Sequence, residues 1–345
     1  LNRGIPRNFP LKIKENKTMK YFLTGATGFV GGSLARLLRE KGHEVVALVR
    51  NPSKAADLVS AGVTVVPGDV TEPHTLRAPM EGCDGVFHVA GWYKVGVRDK
   101  SEGQKINVEG TRNVLTAMRD LGIRKGVYTS TLAINSDTKG ALVDESYHFS
   151  GTYISEYERT KAAAHDIALE FIREGLPLVV VMPGLIYGPG DTSAVRENII
   201  KFMQGKLPAI PSRTAFCWSH VDDIALAHLL AMEKGRAGES YIIAGPPHTF
   251  EAAMQLTCQT SGKPMPMVVP PGLLSGLAPV VGLIEKIIAV PPDYSAENLR
   301  VTGGTTYIGD NSKARRELGY APRTLAEGWP ETILHEMKLL GITAK

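Results

Sequence analysis

Thr24-Gly25-Ala26-Thr27-Gly28-Phe29-Val30-Gly31-Gly32 follows the short apolar run at residues 21–23 and leads into an amphipathic pattern over 34–41. Its glycines therefore sit at a strand-to-helix turn. A helix that starts beneath such a turn presents unpaired N–H groups and the positive end of its dipole, together a seat for a pyrophosphate. Gly25 can take the tight turn, Gly28 lets backbone approach phosphate, and Gly31 lets the helix pack on the strand. The spacing is GxxGxxG, wider than the GxGxxG dinucleotide fingerprint. A glycine-rich turn without a ligand is the plainer alternative.

Outward from this turn, β-rich runs at 45–49, 63–66, 85–89, 126–129 and 178–182 join 21–23 to make six strands. Helical periodicity over 34–41, 106–121 and 157–173 separates them, which indicates an α/β fold, a Rossmann-type doubly wound parallel sheet. Ligands of such sheets lie at the carboxyl ends of the strands. After Pro183 the rhythm breaks into Pro/Gly-rich connections and isolated short strands such as 240–244, as in a smaller C-terminal substrate lobe. The expected division is a leader over 1–18, a dinucleotide-binding domain over 19–190, and a substrate-binding lobe over 191–345 partly interleaved with it. Residues 272–290 are the most apolar stretch, but Pro279, Glu285 and Lys286 interrupt it. It is expected to line an apolar pocket or cover the core rather than span a membrane.

The 345 residues are 43% hydrophobic with a formal charge of +4. Five cations against Glu15 within residues 1–18 account for that whole excess, so the remaining body is neutral and offers nothing for nucleic acid. The leader has no continuous apolar run and no serine, and Met19 directly precedes the first strand. A disordered extension or upstream sequence is expected there, not a secretory signal or transit peptide. Cys83, Cys217 and Cys258 are few and widely spaced, which suits reduced thiols in a cytoplasmic protein. They form no CxxC pair, and His88, His165 and His220 lack metal-ligand spacing, so no metal is expected. A P-loop lysine and a GxSxG elbow are missing too.

Tyr157 and Lys161 stand at i and i+4 near a helix start and share one face. An ammonium beside a phenol favours the phenolate, which would bring a weak acid closer to neutral use. Upstream, the strand at 126–129 runs into Ser130-Thr131, whose hydroxyls point to the ligand crevice and can donate to a carbonyl oxygen. A structural turn hydroxyl is the alternative. Cofactor choice is read at the end of the second strand, where an acid suits NAD and a cation suits the 2′-phosphate of NADP. Val49-Arg50-Asn51 carries no acid, so Arg50, helped by Ser53 and Lys54, favours NADP.

Glycine turn, hydroxyl-ended strand and Tyr–Lys helix, in this order from Met19 onward, resemble the extended short-chain dehydrogenase/reductases of the NAD-dependent epimerase/dehydratase family. The resemblance assigns catalysis to Thr131, with Ser130 as the neighbouring alternative, and to Tyr157 and Lys161. Asn107 in the NVEGT run supports the active-site helix and organises a proton path through water. Thr27, Phe29 and Val30 join the glycines around the cofactor, Asp69 and Val70 bind adenine, and Val89 and Ala90 close the fourth strand. Pro183, Gly184 and Ile186 hold the nicotinamide. NADP is the expected cofactor, although some relatives with an arginine at this place use NAD. The helices at 106–121 and 157–173 form a four-helix dimer contact in many such proteins, so the resemblance is compatible with a homodimer and leaves the oligomeric state open.

Leu132-Ala133 stands where sugar-nucleotide dehydratases place acids, which argues against elimination. The run Ala47 to Pro52, His88-Val89-Ala90 and the apolar 272–290 segment look like the dihydroflavonol reductase and farnesol dehydrogenase branches. Those act on apolar alcohols and carbonyls; the NWYCY motif of plant cinnamoyl-CoA reductases is absent. An NAD(P)-dependent oxidoreductase acting on a small apolar molecule is therefore expected. An NDP-sugar epimerase and a non-catalytic NADP sensor stand as alternatives.

Overall fold

The computed structural model describes residues 17–343, so nearly all of the leader expected over 1–18 lies outside the described residues. The first half alternates strand and helix: β1 (Lys20–Thr24), α1 (Phe29–Glu40), β2 (Glu44–Val49), α2 (Ala56–Ser60), β3 (Thr64–Pro67), α3 (Arg77–Met80), β4 (Gly85–His88), α4 (Ser101–Gly103), α5 (Gly110–Asp120), β5 (Gly126–Thr129), α6 (Glu156–Arg173) and β6 (Leu178–Pro183). Shorter pieces follow: β7 (Leu185–Tyr187), α7 (Ala194–Met203), β8 (Ala209–Pro211), β9 (Ala215–His220), α8 (Val221–Lys234), β10 (Ser240–Ile243), β11 (Pro247–Thr249), α9 (Phe250–Ser261), β12 (Met267–Val269), α10 (Pro271–Ile284), α11 (Ala296–Thr302), β13 (Thr306–Tyr307), α12 (Ser312–Leu318) and α13 (Leu325–Leu339).

The main sheet runs β10-β6-β5-β4-β1-β2-β3. All its neighbours are parallel. Strand order reverses between β1 and β4, and the crevice above that reversal is where a doubly wound sheet takes its ligand. Each of the six expected strands is present with ends within one residue. The isolated strand read at 240–244 is corrected: β10 is a seventh member, pairing Ser240 with Val180 of β6. Its partner lies sixty positions back, so no local turn signal could announce the pairing. Helix α8 also returns to pack on α1, so residues beyond 190 complete the first domain's layers.

Leu34, Leu38, Ile224 and Leu229 fill the core on one face of the sheet; Leu115, Met118, Ile167 and Phe171 fill it on the other. A third core, around Tyr187, Trp218 and Trp329, belongs to the second half. There β9 pairs with β7, β11 and β13, and β8 pairs with β12. The expectation for 272–290 is also corrected. Only Ala278 of α10 is buried, and no α10 residue lines the cavity described below. Sequence shows that a stretch is apolar but not whether tertiary structure covers it.

Candidate active site

The turn after β1 is built around hydrogens where other residues have side chains. Gly25 has φ +77°, and a Cβ there would stand 2.7 Å from the Ala90 nitrogen. At Gly31 a Cβ would meet the Gly25 carbonyl oxygen at 2.2 Å, so its partner is the turn itself rather than the strand. Gly28 caps α1, which begins five residues earlier than its periodicity suggests, with no side-chain cap and no acid in its first turn. That leaves a helix N-terminus open to an anion.

A cavity of about 630 Å³ opens over this turn, within the usual range for small-molecule sites. Gly25, Thr27, Gly28, Phe29, Val30 and Gly31 form its floor. Arg50, Asp69, Val70, Val89 and Ala90 line it too, as do Pro183, Gly184 and Ile186. At Gly184 the chain passes from β6 in the main sheet to β7 in the second, and a Cβ there would lie 2.2 Å from the Cys217 carbonyl oxygen. Arg50 is exposed and makes no ion pair among the described residues, and the end of β2 holds no acid. Ser53 instead donates to Asn51 at 2.7 Å and, like Lys54, stays outside the cavity. Asp69 accepts from the Thr71 nitrogen and hydroxyl through one carboxylate oxygen, leaving the other for a ligand. A turn closed to a Cβ at Gly25 and Gly31, an uncapped helix end and the free Asp69 carboxylate oxygen fit a nicotinamide dinucleotide.

Thr131, Tyr157 and Lys161 all line this cavity. Thr131 precedes a short turn and accepts the Ala133 N–H at 3.2 Å, which leaves its own proton free to donate. The neighbouring Ser130 hydroxyl is engaged with His165 Nδ1 at 2.8 Å, so of the two hydroxyls Thr131 is the available one. Burial holds His165 neutral, its pKa down to about 4.

Ser155 caps α6, two residues ahead of Tyr157. Burial raises the Tyr157 phenol above its ordinary pKa, the Thr131 hydroxyl beside it acts the other way, and the Glu158 carboxyl raises it further. The Lys161 ammonium, expected to make this phenol more acidic, is itself held by groups of β5. The Lys161 ammonium donates to the Thr129 carbonyl at 2.7 Å and to the Tyr128 hydroxyl at 3.5 Å, and lies over the Tyr128 ring. Burial lowers its own pKa to about 7.

Asn107 does not line the cavity. It sits in a wide π-type turn at Gln104–Glu109 between α4 and α5, buried, where a single regular helix was expected. Its amide donates to the Trp92 carbonyl and the Thr160 hydroxyl, both at 2.9 Å, and accepts the Trp92 N–H at 2.7 Å. Both its amide hydrogens hold the β4 loop and α6 in register, in line with the support of the active-site helix that the resemblance implies.

Two wall residues carried no mark in the sequence. Buried Glu158 accepts from the Tyr307 hydroxyl at 2.6 Å, from Ser136 at 2.9 Å and from the Ile154 nitrogen at 3.2 Å. Burial pushes its carboxyl pKa up while those donors pull it down. Tyr307 lies 149 positions away on β13, so only tertiary structure pairs them. Trp92, Tyr93, Val95, Leu132, Phe216 and Val301 add apolar surface to the wall, beside the polar Asp191, Thr192 and Ser193.

The profile of the NAD dependent epimerase/dehydratase family matches residues 21–244. The chain belongs to that family. Within it, the chain is 32% identical to Sterol demethylase protein B of Methylococcus capsulatus, over 91% of this chain and 97% of that one. It is also 32% identical to the 4-hydroxy-2-methyl-3-oxo-4-farnesyl-3,4-dihydroquinoline-1-oxide ketoreductase of Stigmatella aurantiaca, over 88% and 92%. The crystal structure of gox2253 superposes with a TM-score of 0.81 at 32% identity, covering 94% of this chain and 99% of that one. The protein is an NAD(P)-dependent oxidoreductase of the extended short-chain type, and these relatives do not favour the epimerase alternative.

Proposed function

We propose that the protein reduces a carbonyl on an apolar small molecule, reversibly, with NADPH. The observation that carries this is the convergence of the Thr131 hydroxyl, the Tyr157 phenol and the glycine cradle on one cavity with a largely apolar wall. Names borne by two relatives, one for a sterol and one for a farnesyl-bearing ketone, support the substrate class. When bound, the dinucleotide supplies or accepts hydride at the substrate carbon. Tyr157, kept protonated by burial, gives its proton to the carbonyl oxygen, and Thr131 donates a second hydrogen bond to the same atom. Lys161 would hold the nicotinamide ribose from its anchor on Thr129, and Arg50 the 2′-phosphate. Free Cys83, Cys217 and Cys258 support a cytoplasmic location, and the family resemblance supports a homodimer through α5 and α6.

The test is oxidation of NADPH and NADH, followed across prenyl, steroid and flavonoid ketones, aldehydes and sugar nucleotides. NADPH should be consumed with the apolar ketones. Tyr157→Phe should lower turnover by roughly 10² or more while holding cofactor affinity, the scale of lost acid–base catalysis. Arg50→Ala should weaken NADPH more than NADH. Retained turnover in Tyr157→Phe rejects its role, and equal losses for both cofactors reject the NADP preference. Tightly retained cofactor with no net oxidation would return the sugar epimerase.

A further inference from the structure

Helix α10, PGLLSGLAPVVGLI, has no charged side chain, and its one hydroxyl, Ser275, bonds back to the Pro271 carbonyl. Leu273, Leu277, Val280 and Ile284 follow one another at helical spacing, and Ile287 and Ile288 continue the stripe. All six are exposed, Leu277 by 47% and Ile287 by 85%. On the adjoining strand β12, Met267 and Val268 are exposed as well. Scattered exposed leucines need no explanation, but an unbroken apolar stripe marks a surface that something covers.

The charges around it indicate what. Residues 204–214 and 262–290, joined by the pairing of β8 with β12, carry Lys206, Arg213, Lys263 and Lys286 against one acid, Glu285. Glu285 is occupied by the Ala296 N–H at 3.0 Å, whereas none of the four cations has an ion-pair partner among the described residues. A second copy of the chain meeting this face about a two-fold axis would bring its four cations against the same four. An apolar face flanked by unpaired cations instead matches a bilayer surface bearing anionic headgroups. No helix among the described residues is long and apolar enough to cross a membrane, so the fit is to the surface.

The stripe also adjoins the cavity. Helix α11 packs against α10 and contributes Val301 to the cavity wall. Helix α11 also closes on the loop carrying Tyr93 and Val95, where Gly96 donates to Glu297 at 3.3 Å.

We propose that α10 and Ile287–Ile288 seat the protein on an anionic membrane surface, so that an apolar substrate reaches the cavity past α11 from the lipid. The second clause rests on the proposed carbonyl reduction; the first does not. The test is sedimentation of the full chain with vesicles of phosphatidylcholine and phosphatidylglycerol in equal parts, and with phosphatidylcholine alone. Pelleting with the mixed vesicles is expected, weakened by added salt, and reduced roughly tenfold by Leu277→Glu with Ile287→Glu. That variant should keep the wild-type melting curve and NADPH affinity. Failure to pellet, pelleting that the variant leaves unchanged, or equal pelleting with both vesicles would overturn the proposal. So would a concentration-dependent dimer that the variant dissociates, which would make the occupant a second copy. No arm consumes substrate, so failure here leaves carbonyl reduction standing.

Discussion

Burial acts on Tyr157 and Lys161 in opposite chemical senses, holding a proton on the phenol and weakening the hold of the amine on its own. The folded Lys161 releases its proton near pH 7, whereas in an unfolded chain it would do so near pH 10.4. Between those values the unfolded state binds more protons, so this residue makes stability rise with pH; at and below pH 7 its full cost is present. Lys161→Met should therefore flatten the pH dependence of urea unfolding of the cofactor-free protein between pH 7 and 9. The change in slope should be up to about 1.4 kcal/mol per pH unit, the value of one proton. An unaltered slope would mean that Lys161 keeps its charge in the fold. The Tyr–Lys spacing was legible in the sequence, but this inversion was not. Spacing shows that two groups are neighbours on a helix, while the carbonyl of Thr129, which claims the ammonium, comes from a strand 32 positions away.

At the scale of elements, the joint between β1 and α1 has the narrowest tolerance. A methyl group on Gly31 would stand 2.2 Å from a backbone oxygen that cannot move without opening the turn. One on Gly32 would stand 3.3 Å from the Ala26 oxygen and otherwise meet only the flexible Arg36 side chain. Gly31→Ala should weaken NADPH binding at least about tenfold, while Gly32→Ala should change it little, its tight contact offset by about 1 kcal/mol of helix propensity. Fluorescence titration of both variants tests this, and equal losses would show that the turn yields. This joint and five further strands could be read because each carries its own β-rich run and punctuation. β10 could not be placed in the sheet, and the short strands of the second half could not be paired, because β7, β9, β11 and β13 find partners through tertiary packing. The π-type turn carrying Asn107 was hidden for another reason: one extra residue per turn hardly disturbs a helical pattern.

For the molecule as a whole, the question is what fastens the second half over the dinucleotide-binding sheet. The Tyr307 hydroxyl on β13 reaches Glu158 on α6, next to Tyr157, and both side chains are buried. A displacement of β13 would therefore move the cavity wall and expose the carboxyl at the same time. Tyr307→Phe keeps the ring and removes one donor, leaving Glu158 Oε1 buried without it. The expected loss is about 1–3 kcal/mol of unfolding free energy, the cost of an unsatisfied buried acceptor. Because Ser136 and the Ile154 nitrogen still hold Oε2, α6 should keep its place and NADPH affinity should stay near wild type. The carbonyl substrate, which shares its wall with Tyr307, should bind more weakly, raising KM more than it lowers kcat. Urea unfolding together with steady-state kinetics separates these effects. A fall in kcat with unchanged KM would place Tyr307 in the proton transfer itself. Unchanged stability would show that the bond between the two halves carries no share of the fold.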